Sequence, residues 1–229
     1  MATLVVGASA AAEPRSVRLS RLGGVAALLF GIALLADIVV FFAYVGSTGV
    51  SIEGDPAAHP AQLAQLLVNG AASAVWIWYL VLAGLSALAL TTVRSLSDHL
   101  RAAGFDVPAS GLGAAALAIY LLISLTTLAI DRQAGSAVLT QAQLEASIPV
   151  LFAVLFPALL GAFNLLAAGW IFATSWAGWR TRALPRWLCA VGGVTAIVLL
   201  AGVTGASGIE VLAGPWLICV GIWMLVHRP

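Results

Sequence analysis

Apolar residues run along this chain in blocks too long and too uniformly apolar to be the half-buried faces of a soluble fold. A helix that crosses the hydrocarbon layer of a bilayer needs about 20 consecutive apolar residues, because the layer is about 30 Å thick and each residue rises about 1.5 Å. Six blocks reach that length, approximately residues 22–45, 71–93, 111–130, 148–175, 187–204 and 209–226. As soluble helices they would present almost no polar face to water. The pattern predicts an all-α, polytopic membrane bundle of six transmembrane helices, forming one domain over residues 22–229 behind an N-terminal segment of residues 1–21.

The stretches between the blocks carry their own patterns. Residues 46–60 are rich in Gly, Ser and Thr with two prolines, and read as irregular. From Ala61 onward Leu63, Leu66 and Leu67 share one stripe with Gln62 and Gln65 off it, which predicts a short interfacial helix leading into the second span. A similar approach, from Gln141 to Glu145, precedes Pro149 and the fourth span, and Pro157 is expected to kink that span. The odd spans open on Leu22-Gly23-Gly24, Leu112-Gly113 and Val191-Gly192-Gly193, and each meets an acid towards its other end: Asp37, Asp131 and Glu210. Three helical hairpins repeated in parallel would explain this, and so would the chance alignment of a chain rich in Ala, Gly and Leu.

Composition strengthens the membrane reading, since only 8% of residues are charged and the mean hydropathy is +1.08, against roughly a quarter charged in soluble domains. All ten basic residues are arginine, the net charge is +1, and no polybasic tail exists, so nucleic acid is not an expected partner. The lack of lysine excludes Schiff-base chemistry, including a retinal pigment, and His59, His99 and His227 are too scattered for paired haem ligation. Cys189 and Cys219 lie inside apolar runs without C-x-x-C spacing and read as packing residues. No cofactor and no metal are expected. The first dozen residues lack a basic n-region, so a cleaved signal peptide is not expected either.

Charge also orients the bundle. Arg15, Arg18 and Arg21 precede the first span, Arg94 and Arg101 follow the second, Arg180, Arg182 and Arg186 follow the fourth, and Arg228 follows the sixth. Short loops rich in arginine stay cytoplasmic, so both termini are expected there. Only Arg132 falls on the opposite side, beside Asp131 as an expected partner. That side also holds Glu53, Asp55, Glu145 and Glu210, making the outer face acidic.

Asp37 is the sharpest chemical signal, because it stands among Leu34, Leu35, Ile38, Val39, Val40 and Phe41. A carboxyl at helix centre has an apparent insertion cost of about 2.5 to 3.5 kcal/mol, so it is expected to face protein or water. Away from bulk water the neutral form of an acid is favoured, which makes a proton donor of it. The other reading is an Asp that only ties two helices together. By depth, Asn69, Trp76, Thr126, Thr127, Asn164, Glu210 and Trp216 come near it. Converging, they would form an outward-opening cavity with carboxylates at its rim and indole walls, suited to a hydrophobic small molecule that carries or develops positive charge. Catalytic roles are expected for Asp37 and Glu210, substrate-binding roles for Asn69, Trp76, Asn164 and Trp216. Trp176, Trp179 and Trp187, with Trp170 and Trp223 nearby, instead read as an aromatic belt at the headgroups.

Weaker patterns carry less. Gly205-Ala206-Ser207-Gly208 resembles the G-x-S-G of rhomboid proteases, but the only later histidine, His227, lies about 27 Å away along one helix. Glu53, Asp55 and His59 read as loop residues rather than metal ligands, and His99, with Arg94, Asp98 and Arg101, reads as part of a solvated connection.

The stretch from Arg180 to Gly193, containing Leu184-Pro185-Arg186-Trp187-Leu188, together with the glycine-rich opening of the first span, resembles a large group of uncharacterised actinobacterial multi-pass membrane proteins. The likeness implies six helices and a bacterial inner membrane, and implies no activity. Three functions stay open. One is a metal-independent enzyme in which Asp37 is a general acid and Trp76 and Trp216 stabilise a cation, as in acid-initiated cyclisation or isomerisation of an isoprenoid-like lipid. Another is a proton-coupled transporter or lipid permease that protonates Asp37 and Glu210. The last is a non-catalytic membrane partner subunit.

Overall fold

The computed structural model describes residues 13–48, 59–72, 75–105, 109–136, 140–204 and 208–227, and among these no strand occurs. Eight α-helices follow in order: α1 (Glu13–Thr48), α2 (Pro60–Ala72), α3 (Val75–Ala102), α4 (Ser110–Gly135), α5 (Gln141–Val150), α6 (Phe156–Thr181), α7 (Arg186–Ala201) and α8 (Ala213–Val226). Among the described residues, five segments are long and apolar enough to cross a membrane: Arg21–Ser47, Val75–Ala102, Ser110–Ala134, Gln141–Thr181 and Ile209–Val226. Their outward faces are apolar as well. Val39, Phe42, Val154, Val194 and Ile197 are each more than three-fifths exposed, a surface that lipid satisfies and water does not.

The chain departs from the expected spans in four places. α1 reaches back to Glu13, so part of the N-terminal segment is continuous helix. The second block is shifted, since α3 starts only at Val75 and runs on to Ala102. The fourth block is longer than expected, since α5 runs through a π-helical turn (Leu151–Leu155) into α6. Pro157 explains that turn: it has no N–H for the ladder, and the chain widens just before it, with the Phe156 N–H reaching Leu151 O. The fifth block is shorter. α7 has 16 residues, then tightens into a 3₁₀ turn over Gly202–Thr204. At 1.5 Å per residue the α-helical part extends about 24 Å, short of a full hydrocarbon layer.

Glycines set how closely the helices approach. A Cβ on Gly31 would lie 2.7 Å from Gly214 O, and one on Gly214 would lie 2.8 Å from Gly31 O. One helical stretch further along, a Cβ on Gly221 would lie 2.7 Å from Gly24 O. α1 and α8 therefore run antiparallel, backbone against backbone, with glycines spaced by seven on each. Gly23 faces Ser95 of α3, Gly113 faces the Trp170 indole, and Gly192 faces Ser175 and Trp216. The glycine openings noted in the odd spans are thus contact points between helices, Gly193 excepted.

The core is largely aliphatic around an aromatic cluster, with Tyr120 between Phe30 at 5.5 Å and Phe163 at 5.1 Å. The start of α1, the ends of α3, α6 and α8 and the start of α7 meet at one end of the bundle, hereafter the arginine end. His99 fixes this meeting: its Nε2 lies 3.2 Å from Ala183 O and its ring sits edge-on to Trp223 at 5.3 Å. His99 is therefore packed rather than solvated, whereas Arg94, Asp98 and Arg101 around it are exposed. At the opposite, acidic end, α2 and α5 form a small apolar layer of their own, in which Leu63, Leu66 and Leu67 pack with Leu144 and Ile148. The Tyr44 hydroxyl donates to Leu66 O and ties α1 to this layer. α5 starts on a capping box, Thr140 accepting from the Gln143 N–H and Gln143 from the Thr140 N–H.

Candidate functional site: an acidic, aromatic cavity at the acidic end

A cavity of about 360 Å³ opens between α1, α3 and the 3₁₀ turn (Ile209–Leu212) that leads into α8. Its volume falls in the range of small-molecule sites. α1 contributes Asp37 and, at helical spacings of four and seven, Phe41 and Tyr44. The first turn of α3 contributes Val75, Trp78 and Tyr79, and the 3₁₀ turn contributes Gly208, Glu210 and Val211. The antiparallel glycine seam makes this possible, because it draws the C-terminal half of α1 against the segment that precedes α8.

Both expected catalytic carboxyls line this one cavity. Trp78 Nε1 donates to Asp37 Oδ1 at 2.6 Å, which holds the carboxyl in place and leaves Oδ2 as its second oxygen. Both oxygens of Glu210 accept from the Gly208 N–H, at 3.0 and 2.9 Å. Gly208 has φ +93°, a left-handed conformation that lets the turn fold back so tightly on its own glutamate. The remaining walls are rings and aliphatic groups, so a guest would meet carboxylate oxygens, one indole, phenol rings and little else that is polar.

The expected binding residues lie elsewhere. Trp76, two positions from Trp78, faces away from it and takes the Arg132 guanidinium over its ring at 5.3 Å. Arg132 is therefore engaged with an indole and not with Asp131, its neighbour in sequence, because adjacent helical residues point about 100° apart. Asp131 is buried, and its Oδ2 has no hydrogen-bond partner among the described residues. Trp216 is closed in the core edge-on to Trp170 at 5.4 Å, so Trp170 too is a core residue and not part of a belt. Trp176, Trp179 and Trp187 do stand half-exposed at the arginine end. Asn164 is fully buried and donates from Nδ2 to Gly202 O at 3.3 Å, pinning the end of α7 to α6. Asn69 sits on α2, in the outer layer. Thr127 bonds back to Ile123 O on its own helix. Glu53 and Asp55 of the loop, and Gly205 to Ser207 of the G-x-S-G stretch, lie outside the described residues.

Sequence reasoning missed Tyr44, Tyr79 and the role of Trp78. A signal existed for the first, since Asp37, Phe41 and Tyr44 fall on one helical face. Compared with family models, with curated proteins and with solved structures, the chain matches none.

Proposed function

We propose that this protein crosses a bacterial cytoplasmic membrane six times, α7 included, with both termini inside, and that its outward cavity binds a hydrophobic small molecule carrying or developing positive charge. Within that reading, the reaction is a metal-independent, acid-initiated isomerisation or cyclisation of an isoprenoid-like lipid. The observation that carries it is the pairing of Asp37 and Trp78 inside a cavity shared with Glu210. The indole N–H fixes one carboxyl oxygen, and the other is left to hold a proton at the cavity.

The step balances without a cofactor. The Asp37 carboxyl gives its proton to one carbon of a substrate double bond, the π pair forms the new C–H bond, and the adjacent carbon becomes cationic. The faces of Trp78, Tyr79 and Phe41 attract that cation. For isomerisation, a neighbouring C–H proton passes to Glu210, its bonding pair becomes the new double bond, and the proton returns to Asp37 through solvent at the mouth.

Farnesol incubated with the protein in bilayers made up in D₂O tests this directly. Deuterium bound to carbon, present with the wild type and absent with Asp37→Asn, is the expected result. Farnesol that crosses the bilayer under a pH gradient and never acquires deuterium on carbon would instead favour a permease.

A further inference from the structure

At the arginine end, away from the cavity, a second concavity of about 210 Å³ lies between α6 and α7, lined by Phe172, Ser175, Trp176, Trp179, Cys189 and Gly193. We propose that it binds one anionic phospholipid, with an acyl chain in the groove and the phosphate on Arg180 and Arg186. Its walls are almost wholly apolar, and Phe172 and Trp176 are stacked at 6.4 Å along one side, which suits a hydrocarbon chain. From Phe172 to Trp179 the groove extends seven residues of helix, about 10 Å, the length of the upper part of an acyl chain.

The charge at its mouth selects the headgroup. The Arg180 guanidinium lies over Trp176 at 5.8 Å, and Arg186 crosses from α7 to lie over Trp179 at 6.0 Å. A guanidinium stacked by its face keeps its N–H edges free, and those edges match phosphate oxygens in pairs. Arg94 and Arg101 share Asp98, but among the described residues no carboxylate pairs with Arg180 or Arg186. Two adjoining, uncompensated cations at the end read as cytoplasmic therefore face the leaflet that holds anionic lipid.

The two glycines in the middle of α7 divide the labour. Gly192 is filled by Ser175 and Trp216, whereas a Cβ on Gly193 would meet nothing within 4 Å. Gly193→Phe should fill the groove without disturbing the bundle. Purified protein is exposed to equal amounts of phosphatidylglycerol and phosphatidylcholine, and retained lipid is counted by native mass spectrometry. Wild type is expected to prefer phosphatidylglycerol. Arg180→Gln and Arg186→Gln should each lower that preference about fivefold, Gly193→Phe should reduce retained phosphatidylglycerol with both arginines intact, and Arg94→Gln should leave it unchanged. Equal retention of the two lipids by wild type would overturn the proposal. So would a preference that survives Gly193→Phe, which would place the lipid elsewhere, or one that survives both arginine variants, which would assign headgroup recognition to other groups.

Discussion

Trp78 and Asp37 are 41 positions apart in the chain and joined by a 2.6 Å hydrogen bond across the α1–α3 interface. That bond is at once a tie between two helices and the device that aims a carboxyl at a cavity. The two roles separate by substitution. Trp78→Phe keeps the ring and removes the donor, and should cost about 1 kcal/mol of stability. A double-mutant cycle with Asp37→Leu, which removes the acceptor, read by thermal unfolding in detergent, should give a coupling of about 0.6 to 2 kcal/mol. Strict additivity of the two substitutions would show that the bond contributes nothing to holding α1 on α3.

The glycine seam predicts a much steeper response. Gly214→Val must displace Gly31 O, which lies 2.8 Å from the first added carbon, so α1 and α8 are forced apart. The expected loss is about 1 to 3 kcal/mol, with loss of ligand binding too, since the seam holds Asp37 beside Glu210. Gly193→Val, in the middle of the apolar α7, is the comparison: its side chain enters open space and should cost far less. Equal unfolding temperatures for the two variants would contradict the backbone-to-backbone packing.

The sequence carried the helical architecture and pointed to Asp37 facing protein rather than lipid, because a lone carboxyl among aliphatic residues needs a reason to be there. It pointed to Trp76, whereas Trp78 is the indole that meets Asp37. Residues two apart lie on nearly opposite sides of a helix, so which one meets Asp37 depends on the rotation of α3, and that depends on contacts with α1 and α4. Trp216 shows the same limit, since depth along α8 places it near the cavity while direction sends it into the core. Asp131 and Arg132, adjacent in sequence, end on different faces for the same reason. The seam was legible in part: Gly24 and Gly31, and Gly214 and Gly221, each repeat at seven, the spacing that keeps small residues along one line of a helix pair. The short α7 was not, because its end is set by Gly202 and by the Asn164 amide from another helix.

Topology is checked by labelling. In a chain carrying Cys189→Ala and Cys219→Ala, a cysteine replacing Glu145 should react with a membrane-impermeant thiol reagent in intact cells. One replacing Arg101 or Arg182 should react only after lysis. Labelling of the Arg182 position in intact cells would reverse the orientation and move the acidic cavity to the cytoplasmic side.

The central claim is that the cavity around Asp37 selects a hydrophobic guest by positive charge. Titration of the purified protein with N,N-dimethyldodecylamine and, in parallel, with dodecanol measures this most directly, because the two share a chain and differ in whether the head is cationic. The amine should bind at least about tenfold tighter to the wild type, a difference of about 1.4 kcal/mol. Asp37→Asn should erase most of that preference while leaving dodecanol binding and the unfolding temperature nearly unchanged. Equal affinity for amine and alcohol in the wild type, or a preference for the amine that survives Asp37→Asn, would contradict it.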